Sequence, residues 1–432
     1  MRGDRSTDLR WPLRAAAAIG AGSAGVYGYG LVKYRHTAAR RFTMSDPPRP
    51  GSREFSTLVE LLTGGPLRQG NRVEVLRNGC RTFPSMLTAI RSATRTIDFS
   101  SYIYWPGEVT SEFSEAFMER AAAGVEVNMV LDAWGSAKLD REHMERLRRA
   151  GVNVCFFRPP HWYTVHKLNN RMHRRLLIVD GEVGFAGGVG IADVWAGDAQ
   201  DPEHWRETHV RLEGPAVLDI LGGFIDNWAE ATGQLLGSRH FPELRAFDDG
   251  VAVQVTRSSP ATGGTAVAQL FYAAIAGARE RLWLTTAYFA ASGAFLEALC
   301  DAARRGVDVR LLTNGSRIDK EIVRHTGRRL YGPLLEAGVR IFEYEQTMLH
   351  AKVLVVDGVW GNVGSANYDH RSLALDVELN VSFEDPVICA EFEKHFLDDM
   401  ELSKEIGLEQ WNERPVLERA VEYAGELARQ SF

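Results

Sequence analysis

The sequence predicts an α/β protein of two similar lobes, each a mixed β-sheet flanked by helices, with a site where the lobes meet about a pseudo-two-fold axis. Three observations predict it. Helical and strand patterns alternate along the chain, the whole pattern occurs twice, and each copy ends in the same charged motif.

Taken in order, residues 15–32 form an uncharged run between Arg2, Arg5, Arg10 and Arg14 on one side and Lys33, Arg35, Arg40 and Arg41 on the other. The run just reaches the length that spans a bilayer, and cations on both flanks suit a helix ending at head groups. Its Ala- and Gly-rich content keeps a cleaved signal segment or a loose tail open as alternatives. Residues 1–52 are therefore read as an N-terminal membrane anchor and a linker, the linker being 45–52, with Asp46-Pro47-Pro48 and Pro50-Gly51.

The repeat follows. Met86-Leu87-Thr88-Ala89-Ile90 precedes an apolar strand over 97–105 and a helix ending in Ala123-Gly124-Val125. A buried strand through Met129-Val130-Leu131 then closes on Gly135-Ser136. Tyr272-Ala273-Ala274-Ile275 begins the second round, with a strand over 282–289 and a helix ending in Arg305-Gly306-Val307. Leu311-Leu312 and Gly315-Ser316 complete it, and each half continues into a helix ending in Ala-Gly-Val, at 150–152 and 337–339. An offset of about 180 residues is a domain repeat, not a solenoid period. It predicts lobes at 53–240 and 241–405 and a helical tail at 406–432. Within them, the stretch from Gly214 through Trp228 reads as a helix packed between the lobes, and 413–432 as an amphipathic helix.

Composition narrows the function. The 432 residues allow two cores, and 45% apolar with 25% charged residues is the balance of a globular protein. A net charge of −6 lacks the positive field that nucleic acid usually demands, so nucleic acid is not the expected partner. Cys80, Cys155, Cys300 and Cys389 stand singly, with no Cys-x-x-Cys and no Cys/His cluster, so no metal site and no disulfide framework is expected. No cofactor motif is present either.

The duplicated motif carries the chemistry. His173-Arg174-Arg175-Leu176-Leu177-Ile178-Val179-Asp180-Gly181 matches His350-Ala351-Lys352-Val353-Leu354-Val355-Val356-Asp357-Gly358. A spacing of two puts each His and its cation on one face of an extended chain. The apolar quartet buries the strand and Asp-Gly turns it. An imidazole beside a fixed cation suits an anionic phosphoryl group, the cation holding oxygens while the imidazole attacks phosphorus or moves a proton. A single copy would be an ordinary strand edge. Two copies at equivalent places are not an accident.

These motifs resemble the phospholipase D superfamily, whose signature is two copies of His-x-Lys-x-x-x-x-Asp. The second copy matches fully and continues with Gly364-Ser365-Ala366-Asn367, then Asp369, Arg371-Ser372 and Glu378. The run 367–372, with Leu76-Arg77-Asn78-Gly79, Tyr102-Ile103-Tyr104 and Trp205-Arg206-Glu207-Thr208-His209-Val210, looks like the bacterial cardiolipin synthase branch. The resemblance implies two phospholipase D-like lobes and a phosphatidyltransferase or phospholipase working without metal or cofactor through a covalent phosphohistidine. Its substrate would be a phospholipid such as phosphatidylglycerol, met at a membrane surface. It implies a catalytic set of His173, Arg175, Asp180, Glu207, His350, Lys352, Asp357 and Glu378. Within that set Glu207 would orient His173, Glu378 would orient His350, and Asp180 and Asp357 would lock turns. Arg175, Lys352, Ser365 and Asn367 would hold the phosphate, and His173 would be the nucleophile.

Two departures stand out. Arg175 occupies the place of the family lysine, replacing a point charge with a planar fork. Gly187-Gly188-Val189-Gly190 stands where the family carries Gly-Gly-x-Asn, so the side chain that would mirror Asn367 is missing. Basic residues in 161–175 suit either a solvated loop or an approach for anionic head groups, and Trp105, Trp134, Trp195 and Trp205 either flank the cleft or fill the core. A nuclease or other phosphodiesterase on the same scaffold, and a degenerate lipid-binding protein, are the alternative functions.

Overall fold

The computed structural model describes residues 42–160, 170–259, 265–291 and 293–415. The run 15–32, the basic stretch 161–169 and the tail beyond 415 lie outside the described residues. No helix among the described residues is long and apolar enough to cross a membrane.

The first half supplies β1 (Leu67–Arg77), β2 (Thr96–Ser101), β3 (Glu126–Asp132), β4 (Asn153–Phe157), β5 (Leu176–Val179), β6 (Val183–Gly187) and β7 (Thr208–Glu213). The second supplies β8 (Val251–Ser258), β9 (Arg281–Thr285), the short β10 (Phe289–Ala290), β11 (Asp308–Asn314) and β12 (Arg340–Tyr344). It continues with β13 (Val353–Val356), β14 (Trp360–Gly364), the short β15 (Tyr368–Asp369), β16 (Glu378–Glu384) and β17 (Ser403–Ile406).

From the seam outward, one half reads β1-β7-β6-β5-β2-β3-β4 and the other β8-β16-β14-β13-β9-β11-β12, so the repeat in the sequence is a repeat of topology. In each half the outer three strands run parallel and the inner ones antiparallel, a mixed sheet. The two sheets are not separate. β1 pairs antiparallel with β8, and the halves merge into one 15-stranded sheet with β17 added at one edge. The helix Val217–Thr232 packs where the halves meet, its Ile220, Leu221, Phe224 and Trp228 sharing a core with Val253, Val255, Leu379 and Val381. All four cysteines are free thiols.

The Asp-Gly pairs make tight turns between β5 and β6 and between β13 and β14. Asp180 and Asp357 both have φ +53°, and Gly181 and Gly358 have φ +69° and +64°. Two consecutive left-handed residues form a hairpin turn whose twist matches the strands, and Asp-Gly is well suited to it. The Asp180 carboxylate accepts from the backbone N–H groups of Thr94, Arg95 and Thr96 at 2.7–2.9 Å and from the Thr94 hydroxyl at 2.9 Å. Asp357 accepts likewise from the N–H groups of Arg279, Glu280 and Arg281. Each aspartate thus ties its turn to the start of β2 or β9, at the far end of the motif strand from the histidine.

Candidate active site

Each motif histidine is fixed by backbone pairing to the opposite half. The N–H of His173 donates to Val377 O at 2.9 Å, and Val377 N–H donates to Arg171 O at 2.8 Å. The mirror contact has His350 N–H on Arg206 O at 2.7 Å and Arg206 N–H on Met348 O at 2.9 Å. These two bridges place the first residue of β16 beside His173 and the residue before β7 beside His350.

The glutamate pairing is consequently crossed. Nδ1 of His173 lies 3.0 Å from Glu378 Oε1, and Nδ1 of His350 is hydrogen-bonded to Glu207 Oε2. The expectation that each glutamate serves the histidine of its own half is overturned, because the seam brings each strand end against the other lobe's motif. Ser365 is also corrected. Its hydroxyl donates to Glu378 Oε2 at 2.5 Å and accepts from Leu379 N–H at 3.0 Å, so it supports the glutamate and not a phosphate. Asp180 and Asp357 stand apart from the two histidines, as turn locks.

Both glutamates are buried, and burial pushes their carboxyls up to about 7 against the pull of Lys352 and Arg175. Burial likewise draws Lys352 down to about 7. Burial, and then the cations Arg175 at His173 and Lys352 at His350, hold both imidazoles well below their ordinary value. Lys352 donates its ammonium to the carbonyl oxygen of His350. Arg175 donates to the carbonyl oxygen of His173 at 2.7 Å and lies 2.9 Å from His173 Nε2. Arg175 Nε and Asn367 Oδ1 are buried without hydrogen-bond partners among the described residues. An unpaired buried donor costs free energy unless a ligand completes it, and a phosphate oxygen suits the N–H of the Arg175 guanidinium.

The missing carboxamide at 190 has a structural reason. A Cβ on Gly190 would lie 2.8 and 2.9 Å from the outer ring carbons of Trp195, closer than real contacts allow. Trp195 is fully buried, its ring centroid 5.4 Å from that of His350 and 4.8 Å from that of Trp205, which itself lies 5.5 Å from His350. Two indoles therefore wall His350, and glycine gives one of them room. Tyr102 packs edge-on against His173 at 5.2 Å. Trp105 instead carries Lys138 on its face, and Trp134 is exposed.

Further positioning residues lacked a signal of their own. Asn78, itself at φ +62°, brackets Glu207, accepting from its N–H and donating to its carbonyl, each at 3.0 Å. Buried Arg206 pairs with Asp399 at 2.9 Å, and Arg77 shares the same carboxylate. Asp132 holds Arg171, two residues before His173, at 3.1 Å. Asn78, Arg77 and Arg206 fall in the quoted motif-like runs, where their neighbours pointed to them without their roles.

Two histidines on twin hairpins, each with a cation two residues on and a carboxylate behind it, define an enzyme of the phospholipase D type. Comparison with known proteins gives the particular family. The family described as "Cardiolipin synthase, PLD-like domain" matches residues 86–197 and 271–400, one segment in each half. A cardiolipin synthase of Geobacillus kaustophilus is 34% identical over 384 residues, 88% of this chain and 76% of that one. That of Halalkalibacterium halodurans is 33% identical over 368 residues, 84% of this chain and 73% of the relative. The chain belongs to this cardiolipin synthase family of phospholipase D-like enzymes. Its fold is also similar to phosphatidylserine synthase of Haemophilus influenzae, with a TM-score of 0.66 over 88% of this chain and 100% of that one at 13% identity, a likeness of fold alone.

Proposed function

We propose that the protein transfers a phosphatidyl group from phosphatidylglycerol, or a similar phospholipid, to a second alcohol through a phosphohistidine on His173. One observation carries the reading: two buried imidazoles, each held at Nδ1 by a buried carboxylate of the other half, lie beside two buried cations. Residues 53–240 and 241–405 are the lobes that each supply half of this site.

In the first step Nε2 of His173 attacks phosphorus. The P–N bond forms as the bond to the head-group oxygen breaks, and that oxygen takes a proton from His350 Nε2. The negative charge of the bound phosphodiester favours the imidazolium that His350 needs, with Glu207 accepting from its Nδ1–H. Arg175, Lys352 and Asn367 hold the non-bridging oxygens as charge moves onto them. In the second step His350 takes the proton of an incoming hydroxyl. The hydroxyl oxygen bonds to phosphorus, the P–N bond breaks, and His173 is restored. With a second phosphatidylglycerol as acceptor, the products are cardiolipin and glycerol. Phospholipid substrates place the work at a membrane surface, with 15–32 proposed as the anchor.

Purified protein with labelled phosphatidylglycerol in EDTA, with and without an added alcohol, tests this. Cardiolipin or the phosphatidyl-alcohol, with label trapped on His173 in quenched samples, is the expected result. Phosphatidic acid alone overturns transfer, and label on His350 overturns the assignment of the nucleophile.

A further inference from the structure

Arg175 ends on the very atom that is to attack phosphorus. Its Nη2 lies 2.9 Å from His173 Nε2 while Nη1 donates to the carbonyl oxygen of the same residue at 2.7 Å. A guanidinium has donors and no acceptor, so Nε2 is the acceptor and the imidazole carries its proton on Nδ1. Glu378 on Nδ1 receives that proton's hydrogen bond. The lone pair required for attack is therefore present and occupied.

The second copy provides an internal comparison. Lys352 makes the same bond to the carbonyl oxygen of its own histidine. Nε2 of His350 receives no hydrogen bond among the described residues. An ammonium is one point and reaches one acceptor, whereas the fork of an arginine reaches two at once.

We propose that Arg175 is a cap on the nucleophile: in the empty site it holds the Nε2 lone pair of His173, and an arriving phosphodiester releases that lone pair by drawing the guanidinium onto its non-bridging oxygens. The proposal rests on the reading of His173 as nucleophile. Bonds from a guanidinium to an anionic oxygen are stronger than a bond to neutral nitrogen, so the exchange runs toward the phosphate. Arg175 Nε, buried and unpartnered among the described residues, supplies a further donor to the same anion. The family lysine offers no second arm for such a cap. The nucleophile is thereby shielded from stray electrophiles until a phosphate is in place.

Acylation by diethyl pyrocarbonate, which reacts with unprotonated imidazole nitrogen, reads the cap directly. The full chain without lipid is treated and each histidine's rate is followed by peptide mass spectrometry. Releasing one hydrogen bond predicts that His173 in R175K reacts about fivefold faster or more than in the wild type. K352R, which gives His350 the fork, is expected to slow His350 by a similar factor, and it decides the matter where R175K does not fold. Unchanged rates at His173 in folded R175K, or at His350 in K352R, overturn the cap. That failure with label still trapped on His173 leaves the nucleophile assignment standing, and absence of label on His173 overturns the assignment independently.

Discussion

Restoring the family's asparagine at position 190 is expected to harm the protein. In Gly190→Asn the new Cβ stands 2.8 Å from one Trp195 ring carbon, 2.9 Å from the next and 3.1 Å from Ile103 Cβ. The ring has no easy retreat, because Trp205 and His350 pack against it. Overpacking of this kind costs about 1–3 kcal/mol, and a carboxamide left buried without partners adds about 1–3 kcal/mol more. The two clashing carbons belong to the outer edge of the indole, which phenylalanine lacks. Trp195→Phe is therefore expected to relieve the clash, so that the double variant is more stable than the sum of the singles by about 1 kcal/mol or more. Urea unfolding of the four proteins, followed by far-ultraviolet circular dichroism, measures this cycle. Turnover in Gly190→Asn is expected to fall by about tenfold or more, because displaced indoles shift His350. A single variant as stable as the wild type, or a strictly additive cycle, refutes the account of Gly190 as room for Trp195.

Three further outcomes are expected. His173→Gln and His350→Gln each lower turnover by ~10³ or more while unfolding as the wild type does, since each removes one of the two proton- and phosphoryl-handling nitrogens; turnover within tenfold of wild type in either sinks the two-histidine reaction. Asp180→Asn lowers stability by about 1–3 kcal/mol at neutral pH through its weakened bonds to the N–H groups. Although partial burial opposes it, bonds from Thr96, Thr94 and Arg95 hold this carboxyl below its ordinary value. The difference from wild type is therefore full above pH ~4 and shrinks as pH falls through the native value; a difference that persists at pH 2 counts against the bonds as its cause. Burial, then Arg175, depresses His209 to about 3, so its neutral form stabilises the fold above pH ~6.5 and that contribution is lost as pH falls. His209→Gln is expected to flatten the acid limb of a stability–pH curve, and an unchanged limb contradicts it.

Much of this architecture was legible because the sequence states it twice. The two His-x-cation motifs, their apolar quartets and their Asp-Gly turns are local patterns, and they fold locally as β5–β6 and β13–β14. The function of Asp180 and Asp357 as turn locks follows from the same locality. The pairing of glutamates did not, since the resemblance assigned Glu207 to His173 and Glu378 to His350, whereas the bridges at Met172–Val377 and Arg206–Leu349 join each motif to the other half. Nor was Ser365 legible, because only geometry distinguishes a hydroxyl aimed at a carboxylate from one aimed at a substrate. Trp195 fills a place that a missing side chain vacated, and no spacing rule announces such an exchange. The merging of two sheets at β1–β8 likewise depends on which edges are left open, which strand patterns do not record.

The crossed pairing also bears on the lopsidedness of the site. Since each histidine leans on a carboxylate from the opposite half, a single half has no complete histidine–carboxylate pair. In a pair of identical halves every replacement would appear at both centres at once. One chain with two unlike halves carries no such constraint, and here the halves differ at matching places: Arg175 against Lys352, Gly188 against Ser365, Gly190 against Asn367. Unlike halves thus leave the two centres free to differ, a freedom closed to any enzyme whose halves must remain identical.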